Sequence, residues 1–503
     1  MCGHRESVRN TVVAQPSTIA VVGGGISGLT AAYELRKKLG PAARIIVIES
    51  SERVGGKLKT RPGANGPLEA GAEAYLAFRH DATEFFKELG LADQLVAPSG
   101  LPSKLYIGGE LKDLPRNTVT GIPGSSEGLD YLLSEATLAK IDAESNSELT
   151  PALHWVLGDD MNVGQLVAAR LGEEVVDRIV SPLLGGVYST TAYDLGLRAT
   201  IPQLAAALDE MASVGDHVSL TGAVQRVLEA RKQAQQARLS SEAATDSTKT
   251  KRPVVFQTFR DGFEVLYNTL VDESGAELLL STKATGLRQH DNGFEVTVEL
   301  PSESGTSVST IDVDGVVLAA PSATTSELLS SLVPEAAELI GGVDTSNSAV
   351  VGMCFDSSEG LPEINGVLCE IGADLSAKAF TVSSRKWPHI GERYGAVVRA
   401  SFGRFDDDSH VHRSDEDLIA RAKADLAKAT GFDAEPTAVF VQRWWAGIPR
   451  FDMGHGGLMD FARQELDEVP KLAATGAWLS GPGIPECISN AKAAASKIAA
   501  ELA

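Results

Sequence analysis

Gly23-x-Gly25-x-x-Gly28 stands between a run suited to a buried strand, Ile19 to Val22, and a helix-like run, Leu29 to Leu39. That order turns a loose glycine pattern into a dinucleotide-binding fingerprint. The first glycine allows a tight turn, the second lets the backbone approach a pyrophosphate, and the third lets helix and strand pack closely. Backbone N–H groups at the helix start, from Gly23, Gly24, Gly25, Ile26, Ser27 and Gly28, then face the phosphates, where the helix dipole favours negative charge. A second strand-like run, Arg44 to Ile48, ends in Glu49, where a carboxylate accepts hydrogen bonds from an adenosine ribose. An acidic residue at this point argues against a ribose phosphate.

The fingerprint alone does not choose between NAD and FAD. Directly after the second strand comes Glu49-x-x-x-Arg53-x-Gly55-Gly56-Lys57. Paired glycines let the main chain lie against a flat or phosphorylated ligand, while Arg53 and Lys57 offer charge to a pyrophosphate. A glycine-rich surface loop is the plain alternative, but the run begins at the acidic residue itself. Here the chain resembles the flavin amine-oxidase superfamily, whose fold binds FAD in an extended pose with this run.

At 503 residues the chain is too long for one compact core and is expected to form two or three domains. A net charge of −22 makes nucleic acid an improbable partner, since phosphate binding needs a concentrated basic surface. No apolar run approaches the length of a transmembrane segment, and Met1 to Gln15 lacks the apolar stretch of a secretory signal. The expectation is a cytoplasmic protein, with peripheral contact at a membrane left open. Cys2, Cys354, Cys369 and Cys487 are scattered without metal-ligand spacing, so no metal site is expected.

The predicted fold class is α/β: a discontinuous Rossmann-like FAD-binding domain with an inserted mixed α+β substrate-binding domain and a helical domain. Strand-like runs at the start, in the middle (Ile311 to Ala320) and near the end (Trp478 to Ile484) assign the FAD-binding domain to 17–103, 254–322 and 473–503. A helical, substrate-side part spans 104–227, with helix-like runs at Val163 to Leu171 and Ile201 to Met211. The substrate-binding part spans 323–472, with strand-like Ala349 to Phe355 and Gly395 to Phe402 and a helix at Asp415 to Thr430. Residues 228–253, without aromatic residue or glycine, read as a frayed helix leading into a mobile insertion. The final helix is expected from Ser489 to Leu502.

Only one strand-linked G-x-G-x-x-G occurs; Gly454-His455-Gly456-Gly457 lacks both a preceding strand and a downstream acidic residue. Without a nicotinamide site, the flavin is reduced by the organic substrate and reoxidised by oxygen or another acceptor. Gly124-Ser125-Ser126-Glu127-Gly128 matches the letters of a nucleophile elbow but follows Gly121-Ile122-Pro123, so a polar loop is expected. His410-x-His412 beside Asp406 to Asp408 reads as a solvated acidic loop, and His455 as a hydrogen-bonded loop histidine.

Four further stretches resemble the protoporphyrinogen/coproporphyrinogen oxidase family: Leu105 to Pro115, Ser181 to Tyr188, Arg443 to Arg450 and Gly481 to Ile488. The resemblance implies a six-electron oxidation of a porphyrinogen by non-covalent FAD, with molecular oxygen as acceptor and hydrogen peroxide released, within haem biosynthesis. It leaves open whether a ferrochelatase-like partner collects the product. Carried over by motif, the FAD contacts are Gly23 to Gly28, Glu49, Ser50, Arg53, Gly56, Lys57, Gly71, Ala72, Glu73, Ala74 and the backbone of Ala284. Ala477, Pro482, Gly483 and Ile484 close the isoalloxazine side. By similarity the Gly186 carbonyl orients the macrocycle; the plain alternative is a packing glycine in a tight turn. Ser103 stands where protoporphyrinogen-type members carry a propionate-pairing arginine, with Lys104 next to it. That departure favours the Gram-positive coproporphyrinogen type.

Two rivals stay open at this level. One is another flavin oxidase of the superfamily, acting on an amine or a carotenoid precursor, with Trp444 and Trp445 imitating an aromatic cage. The other is a flavin-free binding module of the same fold, as the Rab GDP-dissociation inhibitors are.

Overall fold

The strands Thr18–Val22, Arg44–Ile48 and Gly315–Leu318 are apolar almost throughout, as a parallel sheet covered on both faces requires. In the computed structural model, which describes residues 16–243, 254–302 and 305–503, they form the centre of a five-stranded parallel sheet. Its order is Glu277–Leu279, Arg44–Ile48, Thr18–Val22, Gly315–Leu318, Leu472–Ala474. Side chains alternate between the faces. Ile19, Val21, Ile45 and Val47 pack under the helices Ile26–Leu39 and Ile484–Leu502. Ala20, Val22, Ile46 and Ile48 face an antiparallel sheet of Lys283–His290, Gly293–Ser302 and Gly305–Val313, together with the helices Ser322–Leu329, Pro334–Gly341 and His455–Asp467.

A second, seven-stranded sheet runs Ala438–Pro449, Thr345–Phe355, Ala396–Phe402, Ala379–Thr381, Gly366–Cys369, Ser103–Ile107, Glu110–Asp113. Its core includes Val351, Met353, Val398 and Phe402 under the helix Asp415–Thr430, whose Ser414 caps the Asp417 N–H. A third core gathers the helices Val163–Leu171, Ser181–Tyr188 and Pro202–Ser213 with the start of Leu220–Ala243.

Several sequence expectations need correction. Ile311 to Ala320 is two strands, because the Asp314 carboxylate accepts the Thr18 N–H at 2.7 Å and turns the chain from the antiparallel sheet into the parallel one. The late return to the parallel sheet is Leu472–Ala474; Trp478 lies in the helical turn Ala477–Ser480, its indole donating to the Ala320 carbonyl. The last helix starts at Ile484, with Pro485 in its first turn, where a missing N–H costs nothing. Strands at 103–113 join the seven-stranded sheet rather than the helical part. Residues 228–243 belong to a helix, and 244–253 lie outside the described residues.

Ile122–Pro123 is a two-residue strand, so Gly124 to Gly128 does follow a strand, although no helix opens there and the elbow reading gains nothing. His455 begins a helix and is buried, not in a loop. Among the described residues no helix is long and apolar enough to cross a membrane.

Candidate active site

A cavity of about 390 Å³ opens at the carboxyl edge of the parallel sheet, where Val22 and Ile48 end their strands and Ala319 follows Gly315–Leu318. Such edges are where open α/β sheets place ligands. Gly23, Gly25, Ile26 and Ser27 form one wall. Gly23 holds φ +113°, and a Cβ there would meet the Ala319 carbonyl oxygen at 2.6 Å. Gly28 does not line the cavity; a Cβ on it would lie 1.8 Å from the Gly23 carbonyl oxygen, so its role is close packing of helix on strand. The helix Ile26–Leu39 has no side-chain cap, which leaves its first-turn N–H groups for a ligand.

Glu49 lines the cavity with both carboxylate oxygens fixed: Oε2 accepts the Gly24 N–H at 2.6 Å, and Oε1 accepts the Ser51 N–H and hydroxyl. Gly24 therefore orients the acid rather than lining the space. Gly55 donates its N–H to the Gly24 carbonyl at 2.8 Å, and Gly56 packs on Gly25, so the two glycine runs form one cradle. Lys57 keeps accessible surface because it faces this cavity, yet protein encloses it, and the lost solvation lowers its pKa. Among the described residues its ammonium makes no hydrogen bond or ion pair. An unpartnered cation, bare helix N–H groups and a preset carboxylate fit a dinucleotide: Gly25 and the helix start would hold a pyrophosphate, and Glu49 would accept hydrogen bonds from a ribose. Ser50, Ala72, Ala284, Ala477, Pro482 and Ile484 complete the lining on its other sides.

The pattern of flavin containing amine oxidoreductases matches residues 26–499. The chain belongs to that family. It is 35% identical over 483 residues to the coproporphyrinogen III oxidase of Mycobacterium tuberculosis (strain ATCC 25618 / H37Rv), covering 96% of this chain and 97% of the relative. It is 29% identical to the coproporphyrinogen III oxidase of Bacillus subtilis (strain 168), over 95% and 97% of the two chains. A crystal structure from Exiguobacterium sp. 255-15 superposes with a TM-score of 0.79 at 27% identity, covering 96% of this chain and 99% of that one. Cyclohexylamine oxidase from Brevibacterium oxydans IH-35A, at 16% identity and a TM-score of 0.66, shares the fold.

As a member of this flavoenzyme family the chain takes FAD as its cofactor, and several motif residues serve that site indirectly. The Arg53 guanidinium donates to the carbonyls of Val54, Gly56 and Leu58, bracing the second glycine run, and does not line the cavity. Gly71 allows backbone-on-backbone contact, since a Cβ would lie 2.0 Å from the Lys57 carbonyl oxygen. Glu73 turns away from the cavity to Arg399 and the Trp387 indole, and Ala74 packs against the cluster of Leu68 and Trp387. Gly483 is the N-cap of the last helix and does not line the cavity.

Cys487 does line it, and burial pushes its thiol up to about 11, leaving it protonated and unreactive at neutral pH. That suits a flavin held without a covalent link.

The substrate side departs further from expectation. Gly186 sits in the helix Ser181–Tyr188, exposed, and not in a tight turn. Its carbonyl is in the last turn, where helical acceptors lack intrahelical partners. Ser103 and Lys104 do not line the cavity, and Lys104 pairs with Asp113 on the adjoining strand at 2.6 Å. Trp444 donates to the Ala70 carbonyl and Trp445 leans on His412 with 52% of its surface exposed, so neither forms a cage over the cavity. Thr324 and Thr345, which the sequence did not single out, and Ala446 and Pro449, from the family-like stretch Arg443 to Arg450, form the wall that comes from outside the glycine motifs. Thr324 and Thr345 lie far from that stretch in the chain and carry no motif that would have marked them.

Proposed function

We propose that this enzyme oxidises coproporphyrinogen III to coproporphyrin III, with oxygen as acceptor. The observation that carries the reading is full-length similarity at 35% identity to a relative named for that activity, beside a cavity lined by both glycine runs and Glu49. When bound, FAD supplies a two-electron acceptor reoxidised by oxygen, so three rounds remove six hydrogens and reduce three O₂ to three H₂O₂. The wall of Thr324, Thr345, Ala446 and Pro449 offers no titratable side chain. That suits a substrate whose pyrrole N–H is acidified as conjugation grows, and it leaves the protein the task of positioning. Handover to a ferrochelatase-like partner and action in the cytoplasm belong to the same proposal.

A second reading, protoporphyrinogen IX oxidation, draws support from 25% identity to human protoporphyrinogen oxidase over 96% of this chain and 98% of that one. Ser103 in place of the propionate-pairing arginine favours the first. The test is turnover of coproporphyrinogen III, protoporphyrinogen IX and simple amines by the FAD-loaded enzyme, followed by porphyrin fluorescence and peroxide release. Faster turnover of coproporphyrinogen supports the proposal; porphyrin forming no faster than without enzyme would overturn it.

A further inference from the structure

Lys378 and Arg404 bring two enclosed cations to the end of the helix Ser181–Tyr188, and among the described residues no carboxylate pairs with either. Lys378 is 7% exposed, and its ammonium donates to the Ser189 hydroxyl and the Gly403 carbonyl, both neutral acceptors. Among the described residues half-buried Arg404 makes no side-chain hydrogen bond and no ion pair, and its Nε is buried without a partner there. Nε lies 4.0 Å from where a Cβ on Gly185 would stand, which puts it against the same helix end.

Two other buried charges are paired across the fold, Glu73 with Arg399 and Glu144 with Arg170. An uncompensated buried charge is costly, and two neighbouring cations without a carboxylate would be relieved by an anion. The negative end of the helix dipole accounts in part for Lys378, but it gives Nε of Arg404 no acceptor. Asp407, the acid that acts on Arg404, gives it no ion pair, and the Asp425 carboxylate is taken by the N–H groups of Ser376 and Ala377.

The same helix end lies within electrostatic reach of the helix that starts at the cavity wall. Tyr188, its last residue, feels the carboxylate of Glu486, in the first turn of that second helix. Gly186 and Val187 are exposed along this stretch. We propose that Lys378 and Arg404 form a carboxylate subsite that holds one propionate of the tetrapyrrole while its ring lies along Gly186. This deepens the porphyrinogen reading and rests on it.

The test is binding of coproporphyrin III and of its uncharged tetramethyl ester to the FAD-loaded wild type, Arg404→Gln, Arg404→Lys and Lys378→Met, with KM and kcat for coproporphyrinogen III alongside. Loss of one charge-assisted contact weakens the acid by about tenfold. Supporting results are that loss in Arg404→Gln and Lys378→Met, a KM rise larger than the fall in kcat, unchanged ester binding, and partial recovery in Arg404→Lys. Variants with full FAD content and wild-type affinity for the acid would overturn the subsite, as would equal losses for acid and ester. If Arg404→Gln does not hold FAD, Lys378→Met and Arg404→Lys carry the same comparison. Wild type that oxidises coproporphyrinogen beside unaffected variants sinks the subsite alone; wild type inert to every porphyrinogen sinks both readings.

Discussion

The Glu73 carboxylate lies 2.6 Å from the Arg399 guanidinium, with side chains only 9% and 12% exposed, and so ties the loop after the second glycine run to the seven-stranded sheet. The same guanidinium donates to the Gly71 carbonyl at 2.7 Å. Burial alone would raise the Glu73 pKa, but Lys386, Arg399 and the hydrogen bonds of Trp387 and Ser383 outweigh it and hold it below the ordinary value. A depressed carboxylate stabilises the fold above its unfolded pKa and loses that contribution as pH falls through the folded value. Removing one partner leaves a buried charge unpaired. Arg399→Met is expected to cost about 3–5 kcal/mol, seen as a fall of several degrees in the thermal midpoint, with Glu73→Gln recovering part of it in the double variant. A midpoint equal to wild type in Arg399→Met would remove this role.

Gly25 and Gly28 separate cofactor binding from folding. A Cβ on Gly25, whose backbone is extended at φ −77°, meets nothing closer than Gly56 Cα at 3.9 Å, whereas one on Gly28 would strike the Gly23 carbonyl oxygen at 1.8 Å. Gly25→Ala is therefore expected to fold while losing flavin absorbance, because its methyl fills the approach to the pyrophosphate. Gly28→Ala is expected to be insoluble or unfolded. Yellow Gly25→Ala protein with stoichiometric FAD would contradict the cradle geometry.

The first glycine run and Glu49 were legible because strand, turn, helix and acid are neighbours in sequence and their spacing encodes their geometry. Arg53 and Glu73 carry motif letters, but their partners decide their roles, and Arg399 lies 326 positions from Glu73. The strand Leu472–Ala474 is too short for periodicity to reveal, so Trp478, in the helical turn that follows, was read as strand. Thr345, Ala446 and Pro449 reach the cavity through pairing of two strands about a hundred residues apart, a register that local pattern does not contain. Lys378 and Arg404 likewise become a pair only when the ends of two strands meet the helix at Ser189.

Glu49 is held by Gly24 and Ser51 before any ligand arrives, so its contribution to binding carries little ordering cost. Hydrogen bonds to a charged group contribute about 1.5–3 kcal/mol. Glu49→Ala is expected to weaken FAD binding by about tenfold to a hundredfold, measured by quenching of flavin fluorescence on titration into the apoprotein. An unchanged dissociation constant would place the ribose elsewhere.

Burial, with Arg404 close by, brings the Lys378 ammonium down from 10.5 to about 7. The groups around it are Arg404 and the Cys369 thiol, which burial pushes up to about 12 and so keeps neutral, with Asp425 beyond. Between about 7 and 10.5 the unfolded chain binds more protons at this lysine than the fold does. Its contribution to stability therefore rises with pH across that window, and its cost is greatest below it. A docked carboxylate restores the charge, so coproporphyrin III binding should take up a proton above neutrality, and affinity should fall by up to about tenfold per pH unit. Lys378→Met should lose both dependences, in thermal midpoints of the porphyrin-free enzyme and in titrations from pH 6.5 to 9, ranges set by the pKa of about 7. Identical pH slopes in wild type and Lys378→Met would show that another group titrates.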